Sequence, residues 1–155
     1  MPQTSTAPPE AGNRDDRPPA RWAHRVVIPL RAVSLAFTVD TVIQAVLAGQ
    51  FVNGDVGLLS VHELNARVLT FMLVAATVLA TVAWRARAAR VWPAVLGAVL
   101  ILLVVLEQLA GYQRALAVHI PLGVAITGGA AMLAVWAFTL TRPVRELKSL
   151  REGRR

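Results

Sequence analysis

Leu109-Ala110-Gly111-Tyr112-Gln113-Arg114-Ala115-Leu116-Ala117-Val118-His119-Ile120-Pro121-Leu122-Gly123-Val124-Ala125-Ile126-Thr127 is the stretch that decides how this chain folds. An apolar helix ends, a very short polar turn follows, and a histidine stands at the start of the next apolar helix. An earlier stretch repeats the pattern: Leu47-Ala48-Gly49 ends one apolar run and Val61-His62 opens the next. Four places after each histidine comes a small residue, Ala66 or Gly123, and eight places after it a threonine, Thr70 or Thr127. The pattern is that of one helix pair written twice, with one histidine in each copy.

The setting is a bilayer. Of 155 residues 55% are hydrophobic, and the mean hydropathy is +0.54, too apolar for an ordinary soluble domain. The apolar residues run unbroken rather than in stripes, which marks an integral membrane protein. The fold class expected is all-α: a polytopic membrane four-helix bundle built as two parallel-repeat helix hairpins. With no cysteine, disulfides, thiolate metal sites, iron–sulfur clusters and covalent haem attachment through a C-x-x-C-H motif are excluded. The net charge of +7 would suggest nucleic acid in a soluble protein. Here the basic residues flank apolar runs without aromatic interleaving, so they report topology and contact with anionic lipid, and no nucleic-acid partner is expected.

Residues 1–22, rich in Pro, Thr, Asp and Arg, form an expected disordered cytoplasmic tail. The transmembrane domain is expected over 23–141, with spans at about 26–49, 61–84, 92–112 and 116–140. A basic cytoplasmic tail, 142–155, follows; Val144, Leu147 and Leu150 recur there at helical spacing. Of the 16 Lys and Arg, all but Arg67 and Arg114 fall in the tails, in the loop between spans two and three, or at the inner end of span one. The positive-inside rule then predicts a multi-pass protein of a bacterial-type inner membrane with both termini cytoplasmic. Trp22, Trp84, Trp92 and Trp136 agree as a belt at the inner interface. His62 and His119 come at the outer face.

Two hairpins running the same way are parallel repeats, related by an approximate two-fold axis along the membrane normal. Equivalent residues lie at equal depth and can face each other, and His62 and His119 are such a pair. Ala66 and Gly123, one turn below, leave room for something flat between the helices. Opposed imidazoles in a dry pocket suit an iron bound from both sides, so one b-type haem is the expected cofactor. Double ligation leaves no open iron position, which favours electron transfer or haem handling. Arg67 and Arg114, the basic residues on that half, are the expected partners of the propionates. A zinc centre would need more ligands, from Glu63, Asp55 or Glu107. The competing reading makes each histidine an amphipathic residue at headgroup depth and each small residue a packing feature. On that reading the protein is a cofactor-free structural, assembly or regulatory membrane protein.

The layout resembles one four-helix half of the haem A synthase family, most closely at Gln108-Leu109-Ala110-Gly111 and Leu116-Ala117-Val118-His119. It is also similar to small four-helix bacterial membrane proteins with the same L-A-G…H…H layout. The resemblance implies a haem held by His62 and His119. It does not imply haem hydroxylation: that family carries a catalytic glutamate upstream of its first histidine and usually Arg directly after it, whereas here Leu59 precedes and Glu63 follows His62. No nucleotide, hydrolase or metalloprotease motif is present, so no catalytic residue is assigned. Asp40, Arg67 and Glu107 are costly in hydrocarbon and are expected to face the bundle interior, with Arg67 pairing a carboxylate to tie spans one and two. Beyond the lipid bilayer, the partner implied is a redox or membrane-protein partner, and no oligomeric state is specified.

Overall fold

The structure, a computed structural model, describes residues 20–140, with side chains from Arg25 onward. The basic C-terminal tail and all but the end of the N-terminal tail lie outside the described residues. Four helices account for nearly everything described: α1 (Ala20–Val52), α2 (Leu58–Arg85), α3 (Trp92–Tyr112) and α4 (Leu116–Thr139). All four are long and apolar enough to cross a membrane. The chain is an all-α, multi-pass membrane protein. A bilayer offers no partner to peptide N–H and C=O groups, so a spanning segment must satisfy them internally, as a helix does.

The connections are short and force neighbouring helices antiparallel. α1 packs on α2 and α4, and α3 packs on the same two. The helices therefore stand in cyclic order, with α2 diagonally across from α4. The first connection occupies only 53–57, where the polar loop was expected over 50–60. α1 and α2 simply run past the apolar limits, because a helix that satisfies its own backbone can continue into the interface. Gly54, at φ +109°, turns this loop.

The other two connections share one device. At the end of α3, Ala115 N–H bonds the carbonyl of Ala110 at 2.8 Å and Arg114 N–H that of Gly111 at 2.9 Å. At the end of α2, Ala88 bonds Ala83 and Arg87 bonds Trp84 in the same pattern. These are Schellman closures, and their left-handed position is filled by arginine, at φ 59° in Arg114 and 58° in Arg87. Pro93 sits in the first turn of α3, where a missing N–H is harmless.

Outward faces are largely apolar: Ile28, Val46, Phe71, Val78, Leu102, Val124 and Val135 are all exposed, as lipid contact requires. The core is a column of Phe37, Leu69, Leu73, Leu100, Val104, Ile126 and Ala130, continued by Leu30, Ala80, Ala94 and Ala137 toward the other end. At that end Arg31 turns to α4, donating to the carbonyls of Ala137 and Phe138 at 3.1 Å each. It thereby serves carbonyls that a helix end leaves without an intrahelical partner.

Gly97 and Gly129 lie where helices approach closely in the core. A Cβ on Gly97 would collide with Thr77 Oγ1 and lie 3.0 Å from its Cβ, and one on Gly129 would lie 2.5 Å from a methyl of Leu100. Thr77 is stiff and its hydroxyl is bonded to Leu73 O, whereas the Leu100 methyls end a flexible side chain. Gly97→Ala is therefore expected to destabilise the bundle by about 1–3 kcal/mol, and Gly129→Ala by less, as read from unfolding in mixed micelles. Arg87→Gly and Arg114→Gly should each raise stability by up to about 1 kcal/mol in the same measurement, by relieving the left-handed backbone at some cost in unfolded-chain entropy.

Candidate functional site

Because α2 and α4 both begin at the end where α1 and α3 finish, their first turns meet across the bundle. His62 lies in the first turns of α2 and His119 at the start of α4. Their ring centres are 6.3 Å apart and the ring planes are inclined by 59°. The two histidines singled out by the repeat thus face each other across the diagonal.

Each ring is held by the helix that precedes its own. His119 Nδ1 is 2.9 Å from the Glu107 carbonyl oxygen and 3.1 Å from Glu107 Oε1. Both are acceptors, so Nδ1 carries the proton and donates. Gly111 makes this placement possible, since a Cβ there would stand 3.0 Å from both Cε1 and Nδ1 of the ring. Gly49, its counterpart in the first copy, has open space around it. His62 is held by Gln44 of α1, whose Nε2 lies 3.2 Å from His62 Nε2 and donates to His62 O at 3.0 Å. Asn65 Nδ2 donates to Gln44 Oε1 at 2.9 Å. His62 Nδ1 is buried and has no hydrogen-bond partner.

The residues one and two turns below also match. Thr70 and Thr127 donate back to the carbonyls of Ala66 and Gly123 at 2.8 and 2.9 Å. Gln108 reaches from α3 to Thr70 Oγ1 at 2.9 Å. Gly123 has nothing within 4 Å of where a Cβ would stand. Further down the interior is the packed apolar column, beginning at Leu69 and Ile126.

The charged residues divide. Asp40 is buried, with Oδ2 unpartnered, and the Glu107 side chain is 15% exposed. Both face inward as expected. Arg67 does not. Its side chain is 69% exposed and pairs with Glu63 of its own helix at 2.5 Å, and Tyr112 of α3 donates to the same Glu63 oxygen at 3.2 Å. Five residues on a helix turn about 140°, which carries Arg67 off the face that His62 presents inward. The expected tie between spans one and two is therefore not an Arg67 ion pair; the Gln44–His62–Asn65 bonds join α1 to α2 instead. Arg114 lies exposed on the α3–α4 turn. Among the described residues no three His, Cys, Asp or Glu gather as a metal centre, so the further ligands that zinc would want are not assembled.

Gln44 and Asn65 were not singled out from the sequence. The available signal was an amide inside span one, five residues before Leu47-Ala48-Gly49's glycine, much as Glu107 stands four before Gly111. Comparison with family models, with characterised proteins and with solved structures finds no match for this chain.

Gly111→Ala should displace the His119 ring and break its bond to Glu107. The expected cost is about 1–3 kcal/mol, with a shift of the His119 ring resonances in nitrogen NMR; Gly49→Ala should leave both unchanged.

Proposed function

We propose that this multi-pass membrane protein binds one b-type haem between His62 and His119, for electron transfer or haem handling. The observation that carries the reading is the 6.3 Å between ring centres. Metal–imidazole bonds are about 2.0–2.1 Å, and each ring centre lies roughly 1.1 Å behind its nitrogen. Two imidazoles that each turned a bare nitrogen to one metal from opposite sides would have centres roughly 6.2–6.4 Å apart. The second support is chemical. His119 donates from Nδ1, and a neutral ring then keeps the Nε2 lone pair, the arrangement in which an outer hydrogen bond orients a metal-binding histidine. The third is room: Ala66 and Gly123 carry little or no side chain one turn, about 5 Å, below the rings.

In this reading His62 and His119 would hold the iron, and Ala66 and Gly123 would leave room for the cofactor beside them. Arg114 would supply positive charge for the propionates at that end, whereas Arg67, expected to share that task, is already paired with Glu63. The haem supplies one-electron chemistry when bound. The lysine and arginine distribution supports an orientation with both termini in the cytoplasm and the site at the outer face, where a redox or membrane-protein partner would meet it. The cofactor-free alternative draws on the same hydrogen bonds, since Gln44–His62 and Glu107–His119 also tie α1 to α2 and α3 to α4.

The two readings part in one spectrum. The full chain, purified in detergent from haem-replete cells, should show narrow low-spin bands in the reduced-minus-oxidised difference. Those bands should vanish in both His62→Ala and His119→Ala. No bands in the wild type even after haem supplementation would leave the cofactor-free reading.

A further inference from the structure

The two histidines are related by the repeat, but their hydrogen bonds make them chemically unequal. A neutral imidazole has one donor nitrogen and one acceptor nitrogen. At His119 the assignment follows from the Glu107 carbonyl oxygen 2.9 Å from Nδ1. That oxygen can only accept, so Nδ1 bears the proton and Nε2 the lone pair. At His62 the assignment follows from Gln44. Its Nε2 donates to the His62 backbone carbonyl at 3.0 Å, and its Oε1 accepts from Asn65 at 2.9 Å. Turning the amide over would set Oε1 against that carbonyl, acceptor against acceptor. The Gln44 nitrogen therefore also faces His62 Nε2, at 3.2 Å, and Nε2 must accept. The proton is left on Nδ1, which is buried and has no acceptor.

We propose that Gln44 is the positioning residue that holds His62 back as a ligand, so that His119 is the standing ligand and His62 a conditional one. Neither nitrogen of His62 is free in this arrangement. The Nε2 lone pair is directed to Gln44. Nδ1 can offer a lone pair only if its proton moves to Nε2, where the Gln44 N–H stands. Ligation by His62 through either nitrogen therefore requires Gln44 to swing away, and Asn65 restrains it from doing so. The orphaned Nδ1–H marks the cost of the held state: a buried donor without a partner is unfavourable by about 1–3 kcal/mol, which keeps the ring poised for release. His119 needs no rearrangement. The ligand half of this inference rests on the haem reading; the tautomer half does not.

The test has two arms on the full-length protein in detergent. In the haem-free protein with nitrogen-15 histidine, long-range proton–nitrogen spectra distinguish the tautomers, with resonances assigned by single His→Ala variants. Both His62 and His119 should be Nδ1–H in the wild type. Gln44→Met should shift His62 to the Nε2–H form, and Asn65→Leu should do so partially, while His119 stays unchanged. In the haem-loaded protein, Gln44→Met should raise the ratio of low-spin to high-spin haem by a factor of roughly 2 to 12, the size of one net hydrogen bond. His62→Ala should keep haem in high-spin form, whereas His119→Ala should lose it. His62 found as Nε2–H in the wild type, or a tautomer unmoved by both Gln44→Met and Asn65→Leu, would overturn the role given to Gln44. Equal haem loss from His62→Ala and His119→Ala would overturn the ranking of the ligands. Absence of haem from every variant would remove the haem reading and leave the tautomer arm to judge Gln44.

Discussion

A bilayer cannot hydrogen-bond a peptide group, and everything in this structure follows from meeting that limit with four helices and very short connections. Short connections make successive helices antiparallel neighbours and leave α2 and α4 on the diagonal. The diagonal then brings the first turns of α2 and α4 together at one end of the bundle. The same constraint explains the turns: the Schellman closures after α2 and α3 satisfy the last carbonyls so fully that arginine is held in a left-handed conformation to keep them.

Polar side chains in such an interior must find one another, and those around the histidines do so across helix boundaries. Gln44 of α1 serves α2, and Glu107 of α3 serves α4. The two arrangements occupy similar places but differ in chemistry. A main-chain oxygen and a carboxylate stand at Nδ1 of His119; an amide nitrogen stands at Nε2 of His62. A near-symmetric scaffold thus carries an asymmetric pair. The interior is not fully satisfied: Ser34 Oγ and Asp40 Oδ2, like His62 Nδ1, are buried without partners. On the outer surface Glu63, Arg67 and Tyr112 form a separate cluster that neutralises its own charge.

Much of the fold was legible in the chain, because apolar run length encodes a span and Gly, Pro and polar clusters encode the turns between. The number of helices, their hairpin pairing and the meeting of His62 with His119 all follow from those signals. Helix ends were less legible: α1 and α2 extend past their apolar limits into the first loop, since backbone hydrogen bonding does not depend on side-chain hydropathy. The inward position expected of Arg67 follows from its depth along the helix, and the angle around the helix overrides it. Its position five residues after His62 already carried the angle.

By itself the sequence determined four spanning helices and two histidines at matched depth, because length, hydropathy and the repeat are properties of the chain alone. The tertiary structure decided which polar groups reach each ring. Gln44 lies 18 residues from His62 and Glu107 lies 12 from His119, and such pairs meet only once each helix has a definite rotation against its neighbour. That rotation depends on close approaches such as Gly97 on Thr77 and Gly111 on His119. It gave two equivalent histidines different neighbours, a main-chain oxygen and a carboxylate at His119 and an amide at His62.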